Sequence, residues 1–283
     1  MIDLPLNVDF TGKVVVVTGA GGVLCGDMAK AFAQAGAKVA ALDLNEDAVK
    51  ALAEECKAQG WVCEGYKANV LEPEALEAVH AQVLRDLGPC DILINGAGGN
   101  NPRATTDKEY FEAGDIDADT KSFFDLDASG VEFVFNLNFL GSLIPTQAFA
   151  RQMIGKEGCN IINISSMNAF TPLTKIPAYS GAKAAISNFT QWLAVHFSKV
   201  GIRVNALAPG FFSTKQNAKL LWNDDGTPTA RTGKILAATP MGRFGESEEL
   251  DGGLLFLLNN EAASFITGVV LPIDGGFSAY SGV

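Results

Sequence analysis

The chain has 283 residues, of which 48% are hydrophobic and 19% charged, a composition typical of a soluble protein with one α/β domain. Its formal net charge of −11 and the lack of a basic stripe in the sequence argue against a nucleic-acid partner. No stretch of sequence reaches the roughly 20 apolar residues of a membrane span, and the N-terminal sequence lacks the pattern of a signal peptide. We therefore expect a cytoplasmic protein with no membrane partner.

Cysteine and histidine residues are scattered along the sequence without metal-ligand spacing or a CxxC pair. They are Cys25, Cys56, Cys63, His80, Cys90, Cys159 and His196. An odd, unpatterned set of cysteines indicates reduced thiols in a cytosolic chain. We predict no metal site.

Short apolar runs alternate with longer amphipathic segments along the chain. The predicted strands cover residues 13–18, 38–43, 61–67, 91–95, 160–165, 202–208 and 269–273. The predicted helices cover residues 24–35, 46–59, 73–87, 178–199 and 247–258, with a further helix around Asn138. Continuous Val/Ile/Leu strands separated by helices indicate a parallel sheet covered on both faces. The prediction is a single α/β domain with a Rossmann-type, doubly wound, seven-stranded sheet and a ligand crevice at the carboxyl ends of the strands.

Two segments interrupt this alternation. Residues 99–130 form an inserted segment, and the stretch from Asp107 to Glu132 contains nine acidic residues and two lysines. Residues 214–240 form the second segment, which we predict to be a substrate lid because long irregular segments in α/β domains often cover binding sites. For the acidic part of the insert, a binding loop and a solvated surface excursion both remain open.

A glycine-rich turn, Thr18-Gly19-Ala20-Gly21-Gly22, follows the first predicted strand and opens a helix. Such a turn lets backbone N–H groups approach a pyrophosphate at the positive end of the helix. Asp43 ends the second strand, where its carboxylate can accept hydrogen bonds from ribose hydroxyls and repel a 2′-phosphate. Leu44 follows in place of a phosphate-binding Arg, so the sequence favours NAD over NADP. The alternative for Asp43 is a helix N-cap, although Asn45 is available for that role.

The sequence Asn95-Gly96-Ala97-Gly98 ends the fourth predicted strand. Small residues there allow a planar ring or a ribose to lie close to the backbone. A tight turn explains the same residues equally well.

Tyr179 and Lys183 are four residues apart at the start of a predicted helix, so their side chains share one face. A free tyrosine has a pKa near 10, and a neighbouring ammonium is expected to lower the pKa toward neutrality, as proton transfer requires. The spacing alone is common by chance. Ser166, at the end of a predicted strand, would project its hydroxyl into the same crevice, and Asn138 precedes both on the preceding helix.

These features together resemble the short-chain dehydrogenase/reductase family over essentially the whole chain. The shared marks, in order, are TGAGGVLCG (18–26), Asp43, Asn69-Val70, NGAG (95–98), Asn138, Ser166, YSGAK (179–183), Pro209-Gly210 and Asp274-Gly275-Gly276. The resemblance implies a homotetramer and a catalytic tetrad of Asn138, Ser166, Tyr179 and Lys183. In that tetrad Tyr179 is the acid/base, Ser166 orients the substrate, Lys183 also holds the nicotinamide ribose, and Asn138 supports a water leading to the lysine.

The resemblance also implies which residues bind NAD(H). They are Gly19, Gly22, Val23, Leu24, Asp43, Leu44, Asn69, Val70, Asn95, Ala97, Gly98, Tyr179, Lys183, Pro209, Gly210, Phe212 and Thr214. The chain departs from the family in three places. Gly19 and Gly26 are one residue further apart than in the usual loop, Asn69 stands where the family often has Asp, and the insert after Gly98 is longer than usual.

The glycine loop, the long insert and the segments PGFFSTKQN and TPMGRFGE resemble a subgroup of sugar-acid enzymes, the D-mannonate oxidoreductases or fructuronate reductases. These enzymes interconvert D-fructuronate and D-mannonate at C5. A sugar acid needs cations for its carboxylate and amides for its hydroxyls. The predicted substrate residues are Asn101, Arg103, Ser166, Asn168, Tyr179 and Gln216.

Three alternatives remain open at this point. Arg103 could pair with the acidic insert rather than with substrate. The substrate could be that of a gluconate 5-dehydrogenase or of a 3-oxoacyl reductase. Finally, the chain could be a non-catalytic NAD-binding sensor that reuses the fold.

Overall fold

The first strand shows how the core is divided. In β1 (Val14–Thr18) every residue is buried; Val14 and Val16 face one hydrophobic cluster, whereas Val15 and Val17 face another. Side chains of a strand alternate between the two faces of a sheet, so both faces here are covered. The computed structural model describes residues 9–214 and 218–282.

Seven parallel strands form one sheet in the order β3-β2-β1-β4-β5-β6-β7. The remaining strands are β2 (Lys38–Asp43), β3 (Val62–Lys67), β4 (Ile92–Asn95), β5 (Cys159–Ile164), β6 (Ile202–Pro209) and β7 (Val270–Ile273). The strand order reverses between β1 and β4. Loops on either side of such a reversal diverge and leave a crevice at the carboxyl ends of the strands.

Helices cover both faces of the sheet. They are α1 (Val23–Gln34), α2 (Glu46–Ala58), α3 (Pro73–Asp86), α4 (Ala128–Phe135), α5 (Gly141–Phe149), α6 (Pro177–His196), α7 (Ala218–Leu221), α8 (Ala230–Ala238) and α9 (Glu249–Leu258). Side chains of α1, α2 and α9 enter the cluster that contains Val15, and those of α3, α5 and α6 enter the cluster that contains Val14.

The predicted fold class is confirmed, and each predicted strand and helix is present with bounds within three residues of those expected. The helix around Asn138 differs from the expectation because it is interrupted. A π-helical turn, Asn136–Leu140, separates α4 from α5. Single π turns within α-helices frequently occur at functional sites.

The acidic insert contains three short 3₁₀ turns, Pro102–Ala104, Ala113–Asp117 and Phe123–Asp125. Acidic side chains cap the second and third turns through Asp115 and Asp125, which accept backbone N–H groups. Local capping therefore explains why some of the acidic residues occur in this segment. In the described part of residues 214–240, α7 and α8 are joined by a turn; the role of this segment as a lid stays a prediction.

Candidate active site

The glycine-rich turn after β1 brings its backbone close to the end of β4. Gly19 has a left-handed φ of 72°, and a Cβ atom there would lie 2.8 Å from the backbone nitrogen of Ala97. Only glycine tolerates both constraints. Gly22 then begins α1 without a side-chain cap, so the first N–H groups of this helix have no capping side chain. This arrangement suits a phosphate at the helix N-terminus.

Asp43 lies beside this turn at the end of β2. Its carboxylate accepts the N–H of Gly21 at 3.0 Å and that of Asn45 at 2.8 Å. The cap of α2 is Asn45, whose side chain accepts the N–H of Ala48 at 3.2 Å. The alternative role of Asp43 as the helix N-cap is therefore wrong, and its carboxylate faces the cavity together with Leu44.

A cavity of about 610 Å³ runs along the carboxyl ends of the strands from Asp43 to Tyr179. Most of the predicted cofactor residues line it. These are Gly19, Gly22, Val23, Leu24, Asp43, Leu44, Asn69, Val70, Ala97, Gly98, Tyr179, Lys183, Pro209 and Gly210. Ser166 lines the same cavity at the end where Tyr179 and Lys183 lie.

Three of the four predicted catalytic side chains meet at that end. Ser166 follows β5 and begins a 3₁₀ turn (Met167–Ala169) whose Asn168 N–H it accepts at 3.3 Å. Tyr179 and Lys183 lie on the first turns of α6, with the Lys183 Nζ atom 5.6 Å from the centre of the Tyr179 ring. The ammonium also donates a hydrogen bond to the Ile164 carbonyl at 2.8 Å, which holds it beneath the cavity.

Asn138 lies in the π turn and does not line the cavity directly. Its amide donates to the carbonyls of Gly99 at 2.8 Å and Val134 at 2.7 Å, and it is almost completely buried. A Cβ atom on Gly98 would lie 2.6 Å from the Asn138 Oδ1 atom and 3.1 Å from Lys183 Nζ. Asn138 therefore fixes the loop after β4 on the side where Lys183 lies.

The pKa of Tyr179 is shifted in the direction opposite to the expected one. Burial raises the pKa of its phenol, and a hydrogen bond with the Ser166 side chain opposes the rise. The pKa of Tyr179 is thus raised, in contrast to the lowering expected from Lys183, whose ammonium lies over the ring and bonds to the Ile164 carbonyl. Burial also lowers the pKa of Lys183 to about 8, an effect that the nearby Cys25 thiol opposes.

Three predicted cofactor residues do not line this cavity. The Asn95 side chain is buried and donates to Thr146 and Asn163, both at 2.9 Å, so it faces the interior between β4 and β5. Phe212 is buried in the core and packs against Gly245. Thr214 does not line the cavity either.

The predicted substrate residues before α4 are also engaged elsewhere. Arg103 donates to Asp127 at 3.4 Å and to Ser129 at 3.1 Å, so it pairs with the acidic insert in this structure, and its role in binding a substrate carboxylate stays a prediction. The Asn101 side chain accepts the N–H of Arg103 at 2.9 Å and caps a 3₁₀ turn. Asn168 is buried next to Ser166, and Gln216 lies outside the described residues.

Several residues that line the cavity were not predicted from the sequence. They are Gly21, Cys25, Asn45, Ala68, Gly96, Gly99, Leu137, Ile164 and Ser165. The glycines, Cys25, Asn45, Ala68, Ile164 and Ser165 lie within or beside motifs that were recognised, and these neighbours were the available signal. Leu137 had no such signal because its position depends on the π turn. Across the described ranges, no cluster of three or more potential metal ligands occurs and no helix is long and apolar enough to span a bilayer.

The model of the short chain dehydrogenase family matches residues 13–224. The chain therefore belongs to the short-chain dehydrogenase family, and it is an oxidoreductase of that family. The resemblance inferred from the sequence is thus confirmed.

Three named proteins are similar to this chain over almost its whole length. A solved structure from Haemophilus influenzae, provisionally described as a D-mannonate oxidoreductase with bound NAD, is 63% identical, with a TM-score of 0.95 over 98% of this chain and 99% of that one. The uncharacterized oxidoreductase UxuB of Bacillus subtilis is 49% identical over 99% of this chain and 100% of its own length. Gluconate 5-dehydrogenase of Gluconobacter oxydans is 33% identical over 95% of each chain.

Proposed function

We propose that this protein is an NAD(H)-dependent oxidoreductase that interconverts D-fructuronate and D-mannonate, with Tyr179 as the acid/base. The observation that carries the proposal is the likeness, at 63% identity and over almost the whole chain, to the Haemophilus influenzae structure described above. The position of Ser166, Tyr179 and Lys183 at one end of the cavity supports a ketone reduction there.

The residues present fit the dinucleotide. The uncapped N-terminus of α1 and the glycines of the preceding turn would hold the pyrophosphate, and the Asp43 carboxylate would accept the adenosine ribose hydroxyls. Asn69 and Val70 would flank the adenine, and Lys183 would hold the nicotinamide ribose. When bound, NADH supplies the hydride for the ketone carbon.

The chain itself supplies the proton. Tyr179 donates it to the ketone oxygen, which the Ser166 hydroxyl polarises through a hydrogen bond. Because burial raises the pKa of Tyr179, the phenol is protonated at neutral pH and ready to act as an acid. The reverse reaction needs the tyrosinate as a base, so alcohol oxidation requires a higher pH than ketone reduction.

The direct test is initial-rate measurement of NADH oxidation with D-fructuronate, 5-keto-D-gluconate and an acetoacetyl thioester, each repeated with NADPH. We expect D-fructuronate with NADH to give the highest kcat/KM. No turnover of D-fructuronate under conditions where another ketone is reduced would disprove the proposed substrate. Faster turnover with NADPH would disprove the proposed role of Asp43.

A gluconate 5-dehydrogenase-like activity is the second candidate, because the Gluconobacter oxydans relative is similar over nearly the whole chain. D-Mannonate and D-gluconate differ only in configuration at C2, so the same cavity could receive both ketones. The ratio of kcat/KM for the two ketones decides between them.

A further inference from the structure

A sugar-acid substrate brings one carboxylate into the cleft, and Arg103 is already bound to Asp127. Two lysines of the insert are engaged as well. Lys108 binds Glu112 and Asp115, and Lys121 donates to the Pro102 carbonyl at 2.6 Å. The question is therefore which cation can receive the carboxylate.

Lys175 lies between Ser166 and Tyr179, two residues before α6 begins at Pro177. Among the described residues it is the only one other than glycine with a left-handed φ, 71°. Such a backbone conformation in a lysine is unfavourable and often occurs at functional positions. Its carbonyl accepts the N–H of Thr106 at 2.9 Å, so the acidic insert fixes this segment next to the catalytic helix.

Lys175 belongs to a cluster with Glu109 of the insert and Lys234 of α8. The Glu109 carboxylate binds Lys234 Nζ at 2.7 Å and is half-buried. Within the described ranges, Lys175 itself has no ion pair. The hydrogen bond from Lys234 has the largest effect and lowers the pKa of Glu109; desolvation opposes this, and the charges of Lys234 and then of Lys175 lower the pKa further. Two cations from separate segments thus act on one carboxylate, and the cluster carries one net positive charge in a chain of −11.

We propose that Lys175 binds the carboxylate of the sugar-acid substrate and determines the preference for acids over neutral ketones. Glu109 is the carboxylate on which the charge of Lys175 acts without substrate, and it also binds Lys234. This inference rests on the proposed function and assigns its carboxylate subsite.

The dimensions are compatible with that role. Lys175 and Tyr179 are four positions apart along the chain, a span of at most about 14 Å between their Cα atoms. In D-fructuronate four bonds separate the reacting carbon from the carboxylate carbon, roughly 5 Å at about 1.5 Å per bond. The side chains of Tyr179 and Lys175 can therefore approach the two ends of one substrate molecule.

The test compares D-fructuronate with its uncharged methyl ester, in the full-length protein with NADH. Lys175→Gln removes the charge but leaves a side chain equally disfavoured at positive φ. We expect it to raise KM for D-fructuronate at least about tenfold, the loss typical of a charged hydrogen bond, with less than about a twofold change in KM for the ester. Lys175→Arg should retain most of the preference for the acid.

Two further variants complete the design. Lys199→Gln removes one lysine charge from the exposed turn beyond the far end of α6 and should leave both KM values unchanged. Glu109→Gln removes the competing carboxylate and should lower KM for D-fructuronate; this arm also tests the proposal if Lys175→Gln does not fold. Equal increases in KM for acid and ester in Lys175→Gln, or an increase for the acid in Glu109→Gln, would overturn the inference.

The two proposals fail in different ways. If the wild-type protein reduces D-fructuronate but its preference for the acid over the ester survives Lys175→Gln, only the carboxylate subsite is wrong. If the wild-type protein reduces 5-keto-D-gluconate instead, the proposed substrate is wrong, and the same acid-to-ester comparison with that ketone still decides the role of Lys175.

Discussion

At Tyr179, burial and hydrogen bonding have opposite effects on the pKa of the phenol. Burial raises the pKa, whereas the bond with Ser166 favours the ionised form and lowers it. The Lys183 ammonium lies over the ring, 5.6 Å from its centre, and donates a hydrogen bond to the Ile164 carbonyl. The structure thus presents a protonated phenol, which suits donation of a proton during ketone reduction.

Tyr179→Phe removes the proposed acid without removing the ring. We expect kcat for ketone reduction to fall by about 10²- to 10⁴-fold, the usual contribution of a positioned acid, while NADH still binds. Steady-state kinetics and NADH fluorescence titration measure the two quantities. Tyr66→Phe is the matched control, because its hydroxyl bonds to Asp86 away from the cavity, at 3.1 Å. Full activity in Tyr179→Phe would refute the proposed role of Tyr179 as the acid.

At the level of elements, the crevice depends on close approach between the turn after β1, helix α1 and the end of β4. A Cβ atom on Gly96 would overlap the Cys25 thiol of α1 and lie 2.8 Å from the Thr18 carbonyl. The Thr18 hydroxyl in turn accepts the Gly96 N–H at 3.0 Å. These contacts set the width of the cavity where the turn meets β4.

Gly96→Ala should therefore destabilise the protein by about 1–3 kcal/mol, the usual cost of adding a methyl group to a packed interior, and weaken NADH binding. Urea unfolding and fluorescence titration provide the measurements. Gly233→Ala in α8 is the control: its added methyl meets no atom within 4 Å, and it should stabilise the helix by up to about 1 kcal/mol. Unchanged stability and NADH affinity in Gly96→Ala would contradict this account of the crevice.

At the scale of the whole molecule, the hydrophobic core that covers both faces of the sheet also encloses a carboxylate, that of Asp251. Asp251 of α9 is fully buried, and neither carboxylate oxygen has a hydrogen-bond partner in the described part of the chain. Burial, reinforced by the charges of Asp27 and Glu248, raises its pKa from 3.8 to about 7. Because the folded state binds this proton more tightly than the unfolded state, the group lowers the free energy of unfolding progressively as pH rises from about 4 to 7.

Asp251→Asn removes this titration. The variant should gain stability relative to wild type between pH 5 and 7.5, by up to about 4 kcal/mol if the full displacement of the pKa is expressed, and the difference should level off above pH 7.5. Thermal or urea unfolding at several pH values measures it. A difference in stability that does not change with pH would show that Asp251 titrates normally in the folded protein.

The sequence alone determined the sheet, its helices and most of the cofactor cavity, because these depend on local patterns. Apolar runs specify buried strands, glycines permit the turn after β1, and the spacing of Tyr179 and Lys183 places both on one face of α6. Asp43 followed from its position at the end of a strand, where the fold brings it beside that turn.

Only the tertiary structure decided where side chains at the ends of these elements point and what they meet. Asn95 faces Thr146 and Asn163 from distant segments, Arg103 meets Asp127 within the insert, and the Lys183 ammonium lies over the Tyr179 ring and bonds to Ile164. The physical reason is that hydrogen-bond partners and desolvation depend on residues far apart in the chain, which local periodicity does not encode.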